Sequence, residues 1–157
     1  MPRFNSCNLL QAGVDTRRVW QFDARSAGFK LNREHAAHGG NALPSGVVEK
    51  SWSSLWQPKL NVAWLPSDCV FLRVVHLPAG SPAEVHSMIE LQLERLSPIP
   101  ITQMVWSVQV LGTTPAGLQT AIITFAERKA VEDFLGKLES QGYLADRLEL
   151  PDRKSVV

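Results

Sequence analysis

The stretch from Ser81 to Pro100 constrains the fold most, because both ends of a helix are written into it. Ser81-Pro82-Ala83-Glu84 is a capping box. The serine hydroxyl can accept from the backbone N–H of Glu84, and the glutamate can accept from the N–H of Ser81. Proline at the first helical position sacrifices nothing, since its missing N–H would have no partner there. Val85, Met88, Ile89, Leu93 and Leu96 recur at helical spacing, with Glu90, Glu94 and Arg95 outside the stripe. Pro98 and Pro100 stop the run. Residues 82–96 therefore read as one amphipathic helix whose stripe must be buried against something.

The flanking segments supply a sheet. Residues 60–65 read as a strand and 66–68 as a turn. Residues 69–77, CVFLRVVHL, are apolar on both faces, which predicts a buried central strand. Residues 104–111 alternate, with Val105, Ser107 and Gln109 on one side and Trp106, Val108 and Val110 on the other. After a turn over 112–117, residues 118–126 return with Ala121, Ile123 and Phe125 on one face. A second helix covers 127–141, striped by Val131, Phe134, Leu135 and Leu138. Gly142 follows, where a left-handed residue closes a helix cheaply. Residues 143–150 read as a further strand. The order from residue 60 is β-β-α-β-β-α-β. Upstream, 1–16 lack a clear period apart from a strand near 9–14. Val19-Trp20-Gln21-Phe22 and Phe29-Lys30-Leu31 form a hairpin turning around 25–27. Residues 32–50 are polar and glycine-rich, a loop or weak helix, and 51–56 a short helical turn with Trp52, Leu55 and Trp56 on one face.

Composition removes several classes of function. The chain has 157 residues, 45% of them hydrophobic and 20% charged. A chain of that size buries roughly 70% of its unfolded surface. Sixteen Lys and Arg against 15 Asp and Glu leave no basic excess of the kind a dedicated nucleic-acid binder carries. No apolar run reaches the roughly 18–20 residues of a membrane span. The N-terminal residues contain no continuous apolar core of a secretory signal. Cys7 and Cys69 fit neither a disulfide framework nor a CxxC pattern, so a reduced cytoplasmic setting is expected. Residues 152–157 continue no pattern and resemble a translated sequencing adapter, so 1–151 are expected to be the N-terminal part of a longer protein.

Candidate chemistry is sparse. His35 and His38 sit at i, i+3 spacing, and His76 and His86 would have to converge with them to hold a metal. No cysteine or carboxylate is placed to complete such a set, and no metal is expected. Cys69 reads as a small hydrophobe and not a nucleophile, and Ser26 lacks a nucleophile context. Glu84, Glu90 and Glu94 read as helix cap and solvated face. Trp64 and Trp106 read as core, whereas Trp52 and Trp56 are the interface candidates. Arg73, inside an apolar strand, is expected to pair with a carboxylate across the sheet.

Over about 62–151 the chain resembles the PilM/GspL-type actin-like proteins of type IV pilus assembly and type II secretion, relatives of the division protein FtsA. The features are the strand Phe71-Leu72-Arg73-Val74-Val75-His76-Leu77-Pro78 and the helix with a glutamate-rich outer face. Next come the Pro98-Ile99-Pro100 exit and the helix carrying Ala126, Arg128, Val131, Phe134, Leu138 and Gly142. The resemblance implies a partial actin-like (RNase H-like) α/β lobe over 1–60. A ferredoxin-like β-α-β-β-α subdomain would be inserted at 61–142, and a strand at 143–151 would return to the lobe. It also implies a degenerate first phosphate loop at 23–30. Asp23, Ser26 and Lys30 match the family there, but Arg25 replaces a glycine that lets backbone approach phosphate. No cofactor is then expected in this fragment, with ATP-Mg left to a full-length protein. The implied role is a non-catalytic docking component at the cytoplasmic face of the inner membrane. It would link a PilN-like or GspM-like membrane-anchored protein to a PilB-like or GspE-like assembly ATPase. The alternatives are a nucleotide-dependent switch of the same fold and a free-standing ferredoxin-like binding domain.

Overall fold

The computed structural model describes residues 4–13, 15–26, 28–38 and 59–150. Trp52, Trp56, the helical turn expected at 51–56 and the tail at 152–157 lie outside them. The chain divides into two compact units. One comprises the described residues up to Ser67 and from Glu132 onward, and the other is Asp68–Val131.

The first unit is built on a five-stranded sheet of order β3-β2-β1-β4-β8. Its strands are β1 (Ser6–Ala12), β2 (Thr16–Arg25), β3 (Gly28–His38), β4 (Lys59–Trp64) and β8 (Arg147–Glu149). β1, β2 and β3 form an antiparallel meander, while β4 runs parallel to both β1 and β8. The hairpin expected at 19–31 is present but much longer. Residues 32–38, expected as loop or weak helix, continue β3 instead. Every one of them from Arg33 has a cross-strand partner on β2, which the polar composition concealed. β4 also departs from expectation. The resemblance implies an inserted unit from residue 61 onward, yet β4 pairs with β1 from Ser6↔Lys59 to Gln11↔Trp64. The strand expected over 143–150 shrinks to the three residues of β8.

One face of this sheet buries Leu10, Val19 and Ala63 beneath Leu138 and Tyr143, with Phe134, Ala145 and Leu148 packed around them. Leu138 lies on the helix α3 (Arg128–Glu139). Gly142 follows it at φ +78°. Its N–H donates to Glu139 O at 2.9 Å, and the N–H of Tyr143 reaches back to Leu138 O at 3.0 Å. Those two bonds are the Schellman pattern, in which the left-handed residue turns the chain so that the last carbonyls are satisfied. The contact between Tyr143 and Leu138 is the apolar clasp that goes with it.

The second unit is a three-stranded antiparallel sheet of order β5-β7-β6, made of β5 (Val70–Pro78), β6 (Met104–Thr113) and β7 (Leu118–Glu127). Helix α1 (Pro82–Glu90) and a single further turn α2 (Leu93–Leu96) lie between β5 and β6. The capping box forms in full. Ser81 N–H donates to Glu84 Oε2 at 2.7 Å, and Glu84 N–H donates to Ser81 Oγ at 3.4 Å. Val85, Ile89 and Leu93 are buried against Leu77, Met104, Ala121, Ile123 and Phe125. Trp106, Val108 and Val110 complete that core as their alternation requires. β5 is not the buried central strand its apolar run predicts. It lies at the sheet edge, and Phe71, Leu72 and Val74 are 42%, 48% and 61% exposed. β7 takes the centre.

Candidate functional site

Open sheets with parallel strands seat ligands outside the carboxyl ends of those strands, where the chain switches direction across the sheet. Here that point falls between β1 and β4. From β1 the chain turns to one side through β2 and β3, whereas β4 occupies the other. The carboxyl ends carry Gln11 and Ala12 of β1 with Gly13 beyond them, Trp64 of β4 with Leu65 beyond it, and Glu149 of β8. The β1–β2 turn is tight: Gly13 N–H donates to Thr16 O at 2.7 Å. A Cβ at Gly13 would stand 3.0 Å from Thr16 Oγ1 and 3.3 Å from Thr16 O. Leu65 N–H donates to Glu149 O at 2.9 Å and ties β4 to β8 at the same end.

Asp23, Ser26 and Lys30 lie at the other end of the sheet. Asp23 is the cross-strand partner of Ser6, the first residue of β1, and Ala24 N–H donates to Asn5 O at 2.9 Å. The β2–β3 hairpin thus stands at the amino ends of the parallel strands. It brings Asp23 and Lys30 directly opposite each other. An open pocket of about 280 Å³ there is lined by Asp23, Arg25, Lys30, Leu31 and Asn32. Ser26 belongs to the turn and is not in that lining. Arg25 does line it.

A polar chain threads the first unit. Asn8 and Asn61 are buried among apolar neighbours. Asn8 Nδ2 donates to Asn61 Oδ1 at 3.0 Å, and Asn61 Nδ2 donates to Leu144 O at 3.0 Å. Gln21 Nε2 donates to Asn8 Oδ1 at 3.4 Å, and His35 Nε2 lies 3.2 Å from Gln21 Oε1. Asp146 Oδ2 accepts from Asn61 N–H at 2.8 Å, and Asp146 N–H donates to Asn61 O at 2.8 Å. The Tyr143 hydroxyl donates to Val62 O at 2.8 Å and lies 3.3 Å from Asn8 O. Its buried position pushes the phenol well above the ordinary tyrosine range, and Cys7 and Asp146 add to the effect. The only sequence signal was two asparagines amid apolar strand residues. Satisfied networks of this kind fix register, because any slip leaves amides unpaired in a dry interior.

The remaining candidates resolve one by one. Burial raises the Cys7 thiol, which opposes thiolate chemistry. Glu84 is held below the usual carboxylate range by the backbone N–H and then the hydroxyl of Ser81, the signature of a cap. His76 Nδ1 lies 3.2 Å from Thr120 Oγ1, and His86 stacks on Trp106 at 4.5 Å between ring centroids. His35 and His38 lie on a strand, where an odd separation points side chains to opposite faces. Among the described residues no group of three or more His, Cys, Asp or Glu could hold a metal ion. Trp64 packs against Trp20 at 5.5 Å. Arg73 does not face a carboxylate: its partner on β7 is Ile123, and the arginine is exposed because β5 is an edge. Arg128 has a clear structural task, donating to Met104 O at 3.2 Å. No helix among the described residues is long and apolar enough to cross a membrane.

No protein-family model and no curated protein matches the sequence. Solved structures do. The chain is similar to one in the PilM–PilN type IV pilus biogenesis complex, with a TM-score of 0.70 and 18% identity over 95% of this chain and 48% of that one. It is also similar to the cytoplasmic domain of EpsL, an inner membrane component of the type II secretion system of Vibrio cholerae. There the TM-score is 0.54 and the identity 16%, over 94% of this chain and 57% of that one. The chain thus spans about half the length of the solved structures it matches. With two sheets and few helices among its described residues, it shares the mixed α and β fold of those two structures.

Proposed function

We propose that the chain is a docking component of an inner-membrane assembly platform of the type IV pilus or type II secretion kind, acting without catalysis. The observation that carries this reading is the likeness in fold to a chain of the PilM–PilN complex over 95% of the present sequence. The lack of an assembled catalytic constellation among the described residues is compatible with it. Its partners would be a PilN-like or GspM-like protein anchored in the membrane and a PilB-like or GspE-like ATPase. The chain would sit at the cytoplasmic face of the inner membrane. The free-standing domain over 60–151 is disfavoured, because β4 and β8 belong to a sheet whose centre is β1.

The test is binding of the purified chain to the cytoplasmic segments of the PilN-like and GspM-like proteins from the same organism, followed by calorimetry. The expected result is saturable binding to one of the two. Failure with both would overturn the reading. A parallel titration with ATP-Mg to millimolar concentration addresses the nucleotide switch. No heat is expected, and binding that disappears in Asp23→Ala would replace the docking reading with the switch.

A further inference from the structure

The chain is nearly neutral, but its charge is unevenly spread. The β2–β3 hairpin, Thr16 to His38, holds five of the 16 Lys and Arg and only two of the 15 Asp and Glu. Its tip projects past the rest of the sheet. Ser6 and Lys59, the first residues of β1 and β4, align with Asp23, whereas β2 runs on to Arg25 before turning back at Gly28.

Side chains alternate along a strand, so the register sorts this tip into two faces. On one face Phe29 lies opposite Ala24, and Leu31 opposite Phe22. On the other, Lys30 lies opposite Asp23, Arg25 is two positions beyond Asp23, and Arg33 lies opposite Gln21. Lys59 shares the cationic face, since it and Asp23 both align with Ser6. Phe29 and Leu31 are 53% and 50% exposed, and Arg25, Lys30 and Arg33 are exposed as well. Asp23 and Asp146 are the acids placed at this end of the sheet. The first is matched by Lys30 across the strands, and the second accepts from Asn61 N–H.

We propose that the tip of this hairpin docks on an anionic lipid bilayer. Phe29 and Leu31 enter below the headgroups, and Arg25, Lys30 and Lys59 lie against the lipid phosphates. Buried apolar area together with attraction of cations to anionic lipid is what holds a peripheral segment at a bilayer. The long stems of lysine and arginine let the charged heads reach phosphate from a tip that is itself partly inserted. An acidic protein is the rival occupant. It would satisfy the cationic face and leave Phe29 and Leu31, on the opposite face, in water. The inference stands apart from the docking reading, because the partner here is the bilayer itself.

Flotation of the 157-residue chain with vesicles tests this. Binding is expected to vesicles of equal parts phosphatidylglycerol and phosphatidylcholine, and not to phosphatidylcholine alone. Exchanging both tip cations, Arg25→Glu with Lys30→Glu, should weaken binding by at least about tenfold with an unchanged circular dichroism spectrum. Phe29→Ser should weaken it as well, with every charge retained. In a Cys7→Ser, Cys69→Ser background, an environment-sensitive dye on Phe29→Cys should shift to the blue when vesicles are added. The same dye on Gln109→Cys, exposed on β6, should not. A chain that ignores phosphatidylglycerol vesicles overturns the proposal, as does binding indifferent to the double charge exchange or a dye that responds equally at both positions. Binding to polyglutamate as tight as to the vesicles, and unchanged in Phe29→Ser, would overturn it in favour of an acidic protein.

Discussion

Asn61 joins three stretches of chain that are remote in sequence. Its side chain accepts from Asn8 on β1 and donates to Leu144 O, and its backbone exchanges two bonds with Asp146. Asn61→Leu keeps the volume and deletes the amide. It removes the buried partner of Asn8 Nδ2 and the donor to Leu144 O, so a loss of about 2–3 kcal/mol is expected in urea unfolding. Ser81 plays a smaller part at the start of α1. Ser81→Ala is expected to cost about 1 kcal/mol by the same measurement. The partner in that cap also sets a pH dependence. The Glu84 carboxylate is stabilised in the folded state, so its contribution is present above the ordinary glutamate range and fades as pH falls through the lowered value. The stability gap between Ser81→Ala and the parent chain should therefore narrow in acid. Of these two features, the cap was legible because its residues are adjacent. The asparagine pair was not, since 53 residues separate its members.

At the scale of elements, local signals and long-range ones part company. Helix starts, proline stops and alternating strands were all readable, because each depends on neighbours a few positions away. The run 69–77 differs from its sequence expectation for the opposite reason. An apolar strand looks the same whether a sheet covers it or a solvent edge awaits a partner, and only pairing tells them apart. The helix expected over 82–96 bends at Leu91 and Gln92. Gln92 N–H donates to Ile89 O at 2.9 Å in a tighter turn, and its side chain caps Met88 O at 3.3 Å. Leu91 is left 88% exposed while Leu93 returns to the core. No glycine or proline announced the bend. The end of α3, by contrast, was announced by Gly142. Gly142→Ala places a Cβ at φ +78°, where its side chain would meet nothing within 4 Å. The penalty is therefore conformational, about 1 kcal/mol, and should appear as a lowered melting temperature with the contacts of Leu138 intact.

For the whole molecule, Tyr143 provides an internal reporter, being the sole tyrosine of the chain. Its phenol is raised in the folded state, so its contribution is complete below the ordinary tyrosine value near pH ~10 and is lost as pH rises above it. Unfolding free energy should fall with pH in that range, and fall less steeply in Tyr143→Phe. Tyrosinate absorbance should stay silent until the chain unfolds. The general architecture was legible through the order of elements and the family resemblance. The placement of Asp23, Ser26 and Lys30 at the amino ends of the parallel strands was not, because a hairpin motif carries no record of which strand lies beyond it.

The parallel trio β1, β4 and β8 has a consequence for biosynthesis. β1 leaves the ribosome before its sheet partners, and its neighbour's other partner, β8, emerges about 140 residues later. The sheet that contains β1 thus cannot finish until β8 has emerged. Meanwhile the segment Asp68–Val131, whose strands join through a short hairpin and one helical crossover, already has every strand it needs. Translation would then present an unfinished N-terminal sheet beside a completed later one. During that interval the amphipathic strands β1 and β2 are the nascent chain's exposed liability and the natural targets of a chaperone.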